Sequence, residues 1–136
     1  MPVSNSKIVI NLPSHTLFLY ADNTLVSKYP VGTGRSGFPT PIGTYTVIDK
    51  IKNPGWENPL LPSHKQHIKP GAQNPLGTRW LGFKQWQGGE YGIHGTNQPG
   101  SIGKSVTHGC IRMKTSDVEA LFDHVGIGVP VEVTDQ

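Results

Sequence analysis

The chain has one cysteine in 136 residues, Cys110, so an internal disulfide is excluded and cysteine usage says nothing about redox compartment. Nowhere do about 18 apolar residues follow one another, and no membrane-spanning helix is expected. Residues 1–11 contain no apolar run long enough for the core of a secretory signal. The chain is therefore expected to be soluble, with any export signal removed or never present. Charged residues make up only 15% of the sequence, with a net charge of +3. No Lys/Arg block is present to track phosphates, so nucleic acid is not an expected partner, and a solvated surface accounts for the mild basicity.

What the chain has in quantity is glycine and proline, 17 and 12 residues. That richness points to turns and short strands rather than to helices. The length suits a single domain spanning residues 1–136. Lys7 to Asn11, Thr16 to Tyr20 and Leu25 to Val31 read as a meander of three strands, with Asp22-Asn23 turning between the last two. Gly32-Thr33-Gly34-Arg35-Ser36-Gly37 resembles a phosphate loop only superficially. It lacks the Gly-Lys-Ser/Thr ending and runs into prolines instead of a helix, so a nucleotide site is not expected. Gly43 to Lys50 alternates as a fourth strand, and Arg79 to Phe83, Tyr91 to His94 and Val129 to Val133 supply three more.

Residues 52–77 carry five prolines and no clear periodicity, and a loop of that length is expected to be a lid or binding element. One helix is well signalled. Ser116-Asp117-Val118-Glu119 has the form of a capping box. Val118, Leu121, Phe122 and Val125 follow the spacing of one buried helical face, and Gly126 marks the stop. The expected fold is mainly β, a small sheet or sandwich with one packed helix near the C-terminus.

The chemistry concentrates around the thiol, in Thr107-His108-Gly109-Cys110-Ile111-Arg112, which lies downstream of Ile93-His94-Gly95. A nucleophilic cysteine acts as the thiolate, and an ordinary thiol with a pKa of about 8.5 needs a base. His108 and His94 are both candidates: His108 lies two residues from the thiol, and His94 ends a separate strand. Gly109 permits a turn whose backbone N–H groups could face an oxyanion. Arg112 could hold a carboxylate or favour the thiolate. A zinc site built on His94, His108 and Cys110 lacks a second cysteine or a carboxylate in the run, so no metal is expected. The remaining histidines read as turn, loop or helix-surface residues. Trp56, Trp80 and Trp86 read as packing aromatics, with Trp86 close enough to Gly88-Gly89 to line a cleft.

Taken together, these motifs resemble the catalytic domain of the L,D-transpeptidases (the YkuD-type family) over nearly the full chain. The likeness rests on His94, on Thr107-His108-Gly109-Cys110 followed by Arg112, and on three further stretches. These are Val31 to Gly34 leading to Pro39 to Tyr45, Asn74 to Gly77, and Ile93 to Asn97. The resemblance implies a β-sandwich-like L,D-transpeptidase fold without a cofactor. It implies Cys110 as the nucleophile, His94 as its base and the Gly95 carbonyl as the group that orients the imidazole. His108, Gly109 and Arg112 would support the site and the oxyanion.

The implied substrates are peptidoglycan tetrapeptide stems, losing a terminal D-Ala and forming 3→3 cross-links through a thioester, with carbapenems as acylating inhibitors. An envelope location in cell-wall biogenesis follows from the same likeness. Thr107 stands where serine is commoner in the family and keeps the hydroxyl. Hydrolysis of the same bond and a non-catalytic wall-binding module are the alternatives.

Overall fold

A computed structural model of the chain describes residues 5–37, 39–53, 56–57, 67–68, 76–86, 89–96, 98–107 and 109–136. The meander is present as β1 (Ser6–Asn11), β2 (Thr16–Ala21) and β3 (Thr24–Gly34). Asp22 and Asn23 both have positive φ, 53° and 65°, as the type I′ hairpin turn requires. Alternation decides the faces. Ile8, Ile10, Leu17 and Leu19 point inward and are fully buried, while Lys7 faces solvent and pairs with Glu132 at 3.0 Å.

β3 runs further than its sequence suggested and belongs to two ladders. Its first part pairs with β2, whereas Val31 and Gly32 pair antiparallel with β11 (Ile111–Met113). Its last residues pair with β10 (Ser105–Thr107). The stretch 43–50 is likewise two strands, not one. β4 (Gly43–Thr46) pairs with β12 (Pro130–Thr134), which lies parallel to β1. β5 (Asp49–Lys52) pairs instead with β8 (Arg79–Trp86).

The chain crosses between the two halves at Val47-Ile48. Val47 exchanges backbone hydrogen bonds with residues 128 and 129, and the Ile48 N–H donates to Gly82 O at 2.8 Å. Bridged at β3 and again at Val47-Ile48, the curled sheet runs in the order β4-β12-β1-β2-β3-β11-β9-β8-β5, where β9 is Gly89–His94. β8 and β9 form a longer hairpin than the sequence indicated. A separate short ladder joins β6 (Trp56–Glu57) to β7 (His67–Ile68). The rest of the 52–77 segment, apart from its two ends, lies outside the described residues, as do His64 and the side chains of Trp56 and Trp86.

The core fills the space inside the curl with Val31, Val47, Leu81, Phe83, Ile93, Ile111 and Met113. The helix α1 (Thr115–His124) closes it with Val118 and Leu121, both fully buried, and Val125 follows just past its end. That apolar face matches the sequence pattern. The capping box does not form: Lys114 occupies the N-cap without a side-chain bond, and Ser116 sits exposed inside the helix. Glu119 turns away to β8, where it accepts from Thr78 Oγ1 at 2.7 Å and lies 3.8 Å from Arg79 Nη1. A partly buried hydroxyl and a guanidinium offer a carboxylate more than the N-cap amide does, and tertiary contact overrides the local motif. Among the described residues no helix is long and apolar enough to cross a membrane.

This arrangement makes an unequal pair of substitutions. Ser116→Ala is expected to change unfolding free energy by less than about 0.5 kcal/mol. Glu119→Ala, which leaves the Thr78 hydroxyl without its acceptor, is expected to cost about 1 kcal/mol or more in urea denaturation.

Candidate active site

The site is a row of side chains laid across the sheet. Register places Gly32 of β3 opposite Arg112 of β11, Arg112 opposite His94 of β9, and His94 opposite Trp80 of β8. The next residues back, Ile111, Ile93 and Leu81, point the other way and are fully buried in the core. Strand alternation therefore fixes the polar row by anchoring its apolar neighbours.

β9 and β11 run parallel with Ile111 beside Ile93, so the backbone just before β11 carries Cys110 alongside Gly92. The Gly92 N–H donates toward the sulfur and lowers the thiol pKa, while the thiol lies 3.8 Å from the Glu90 carbonyl oxygen as its donor. A side chain at position 92 would meet the Trp80 ring within 2.6 Å, so glycine is required where strand and indole meet.

The turn that presents Cys110 is held by two buried threonines. Gly109 has φ +120°, a conformation that favours glycine, and a Cβ there would run into the Tyr91 ring. Thr107, 2% exposed, accepts the Gly109 N–H at 3.0 Å and donates to the Cys110 carbonyl at 2.7 Å. Thr40, on the segment leading to β4, donates to the Gly109 carbonyl at 2.8 Å and accepts the Gly34 N–H at 3.0 Å. The sequence offers the Gly109 N–H to an oxyanion, but the Thr107 hydroxyl takes it. β11 lies between Cys110 and the helix, and it is β11 that aligns Arg112 with His94.

His94 is 5% exposed. Its Nδ1 contacts the Gly95 carbonyl oxygen at 2.5 Å. A carbonyl only accepts, so Nδ1 carries the hydrogen and Nε2 keeps its lone pair for a proton from elsewhere. Burial holds the imidazole down at about 4, against the opposing pull of the Gly95 carbonyl and with help from the Arg112 charge. Burial also pushes the Cys110 thiol up to about 11, and the Gly92 amide and Arg112 only partly offset it. The resting pair is thus a neutral thiol and a neutral imidazole.

Arg112 is half-buried. Its Nη1 donates to Gln98 Oε1 at 3.3 Å, and its Nε is buried with no hydrogen-bond partner among the described residues. His94, Gly95, Gly109, Cys110 and Arg112 are thereby brought into one region. His108 lies outside the described residues, as does Asn97. The sequence reading missed the threonine pair. Thr40 lies inside a quoted motif, but nothing local tells a structural hydroxyl from a solvated one. Trp80, read only as a packing aromatic, faces His94 with its ring. Among the described residues no cluster of His, Cys, Asp and Glu is suited to a metal ion.

The model of the L,D-transpeptidase catalytic domain (YkuD) matches residues 5–133. The chain is 39% identical over 131 residues to the putative L,D-transpeptidase YqjB of Bacillus subtilis, covering 94% of this chain and 70% of that protein. It is 34% identical over 126 residues to the putative L,D-transpeptidase YkuD of the same organism, covering 93% and 64%. Against the probable L,D-transpeptidase ErfK/SrfK of Escherichia coli, at 33% identity, it covers 95% of itself and only 44% of the relative. The chain thus spans from under half to about two thirds of the length of these relatives. Among solved structures, L,D-transpeptidase 3 from Mycobacterium tuberculosis shares the fold with a TM-score of 0.78 at 21% identity, covering 96% of this chain and 61% of that one. An L,D-transpeptidase from Mycobacterium smegmatis superposes with a TM-score of 0.74 at 25% identity, covering 96% and 58%. With a family match over 129 of its residues, from 5 to 133, the chain belongs to the L,D-transpeptidase (YkuD) catalytic-domain family.

Proposed function

We propose that the chain is a cysteine acyl transferase acting on peptidoglycan tetrapeptide stems. The observation that carries this reading is the tautomer of His94: the Gly95 carbonyl holds the Nδ1 hydrogen, so Nε2 is the proton acceptor. His94 sits in register with Arg112, two residues beyond Cys110.

In the first half-reaction Cys110 Sγ attacks the carbonyl of the third stem residue, and its proton passes to His94 Nε2. The resulting oxyanion meets the Cys110 N–H, since the Gly109 N–H is already engaged. The C–N bond to the terminal D-Ala then breaks, and His94 returns the proton to the departing amine. In the second half-reaction the side-chain amine of another stem attacks the thioester and gives its proton to His94. Cys110 leaves as a thiolate and recovers that proton, and a 3→3 cross-link remains. Water in place of the amine would give a tripeptide.

Because both groups rest neutral, the thiol loses its proton during attack rather than before it. Arg112 favours the developing thiolate by its charge. An envelope location follows from the substrate.

Cys110→Ala is expected to abolish D-Ala release from a tetrapeptide stem, by about a thousandfold or more. It is also expected to lose the single covalent adduct that a carbapenem leaves in intact-mass measurements. Retained release would remove Cys110 from the mechanism. With purified muropeptides the proposal expects cross-linked dimers; tripeptides alone would make the enzyme a carboxypeptidase.

The neutral pair has a pH signature. Acylation by imipenem should hold as pH falls from 8 to 5 and drop only as His94 takes a proton near 4. Unfolding should show the same group. Its folded pKa, about 4, lies below its ordinary value of 6.5, so the unfolded chain binds the proton first. The stability contributed is complete above pH 6.5 and is lost as pH falls to 4, by up to about 3 kcal/mol. His94→Gln should flatten that segment of the stability curve.

Thr107→Val removes both an acceptor and a donor from the buried turn, and should cost about 2 kcal/mol or more and slow acylation. Thr107→Ser should restore both, with unfolding and imipenem kinetics as the measurements.

A further inference from the structure

Trp80 is the largest side chain in the site row and the one that the chemistry above leaves unused. Its ring lies nearly parallel to the His94 imidazole, 18° between planes and 5.9 Å between centroids, across the β8–β9 ladder. It is 8% exposed, so little of the indole reaches water. The surroundings are shaped to admit it. Side chains at Gly82 and Gly92, which face each other in register, would both meet the indole, at 3.0 Å from Nε1 and 2.6 Å from the ring carbons. Two glycines at facing positions in a buried ladder weaken the strands, which makes space for the ring the feature they serve.

The far edge of the indole faces Glu90. Its carboxyl lies over Gly82, where a Cβ would collide with it; burial and the Asp49 carboxyl of β5 push its pKa up to about 7, and the Trp80 indole N–H only partly offsets them. Among the described residues Glu90 Oε1 is buried with no hydrogen-bond partner. The same residue touches the nucleophile, because the Glu90 backbone carbonyl accepts from the Cys110 thiol. Glu90 thus meets Cys110 through its main chain and, through its side chain, the ring that lies against His94.

We propose that Trp80 is a positioning residue for the base: stacked on His94 and steadied at its far edge by Glu90, it fixes the plane of the imidazole and closes one of its faces to water. Gly95 sets the rotation about the ring through Nδ1; Trp80 sets the tilt. Both are needed for Nε2 to point along a single direction. Among the described residues, the charged and titratable groups around the imidazole are few. Arg112 and Cys110 approach from the β11 side, and Glu90 with Asp49 lies beyond the indole. From α1, Val118 packs near Gly95. Removing the indole therefore admits water without adding a charge.

The proposal rests on His94 as the base, and its test includes a readout that does not. In the full chain, His94 is titrated by NMR in the wild type, Trp80→Leu and Trp80→Phe, and acylation by imipenem is followed from pH 4 to 9. Trp80→Leu should raise the His94 midpoint from about 4 by at least one pH unit toward 6.5. Its acylation at pH 5 should fall more than at pH 8, by about twofold for a one-unit shift and about tenfold for a two-unit shift. Trp80→Phe, which keeps a flat ring, should keep the wild-type midpoint. Glu90→Leu should move the midpoint in the same direction by less, because the indole loses its tether but remains. If Trp80→Leu does not fold, Trp80→Met, long but ringless, takes its place.

A folded ringless variant with an unmoved His94 midpoint would overturn the proposal. So would a Phe variant shifted as far as the Leu variant. A role in folding alone would lower the yield of native protein and leave the pH profile where it was. If the midpoint moves as expected while acylation does not depend on it, the positioning stands and the assignment of His94 as base fails.

Discussion

The parallel pairing of β9 with β11 is the constraint on which everything in the site depends. Ile93 and Ile111, fully buried side by side, lock the two strands that carry His94 and Arg112. Burial of a side chain of that size is worth about 2 kcal/mol or more, and a slip of one residue would expose both. The next residue on each strand then has no choice of face: His94 meets Arg112. Polar geometry near the surface is thus held by apolar packing one residue below it. No hydrogen bond between the functional side chains is needed to bring them together.

The same economy of means is visible at the thiol. A strained glycine on its own would leave Cys110 free to wander, but Thr40 and Thr107 engage both carbonyls and the amide of the Gly109-Cys110 turn. These hydroxyls are 3% and 2% exposed, so each bond is made where its loss could not be replaced by water. Because Thr40 belongs to the segment before β4 and also binds the Gly34 amide, it ties the turn to both halves of the curled sheet. The turn is therefore held along its backbone from two sides.

Much of this was legible in the residues themselves. The alternation of Ile8, Ile10, Leu17 and Leu19, the helical face of Val118 and Leu121, and the Asp22-Asn23 turn are local patterns, and local patterns survive folding when nothing competes. The Thr-His-Gly-Cys-x-Arg run and the distant His94 identified the family. What escaped was decided by partners far away in sequence. Nothing between Gly43 and Lys50 announces that the chain changes ladders at Val47-Ile48. A capping box at Ser116 and Glu119 reads correctly until Thr78 and Arg79 offer the carboxylate a better place. Trp80 reads as core because an indole buried against valines and one buried against an imidazole look alike in a sequence.

The pairing of residue 8 with residue 131, and of residue 32 with residue 112, means that the local hairpins must be joined by contacts between distant parts of the chain. Chains built from such distant pairings assemble slowly, over milliseconds to seconds. Throughout that interval the thiol has the ordinary acidity of an exposed cysteine. Only closure of the sheet raises it to about 11. Closure of the fold therefore makes the Cys110 thiol less reactive toward oxidants and stray electrophiles, which react with thiolates. The finished fold acts as a safety catch on that thiol.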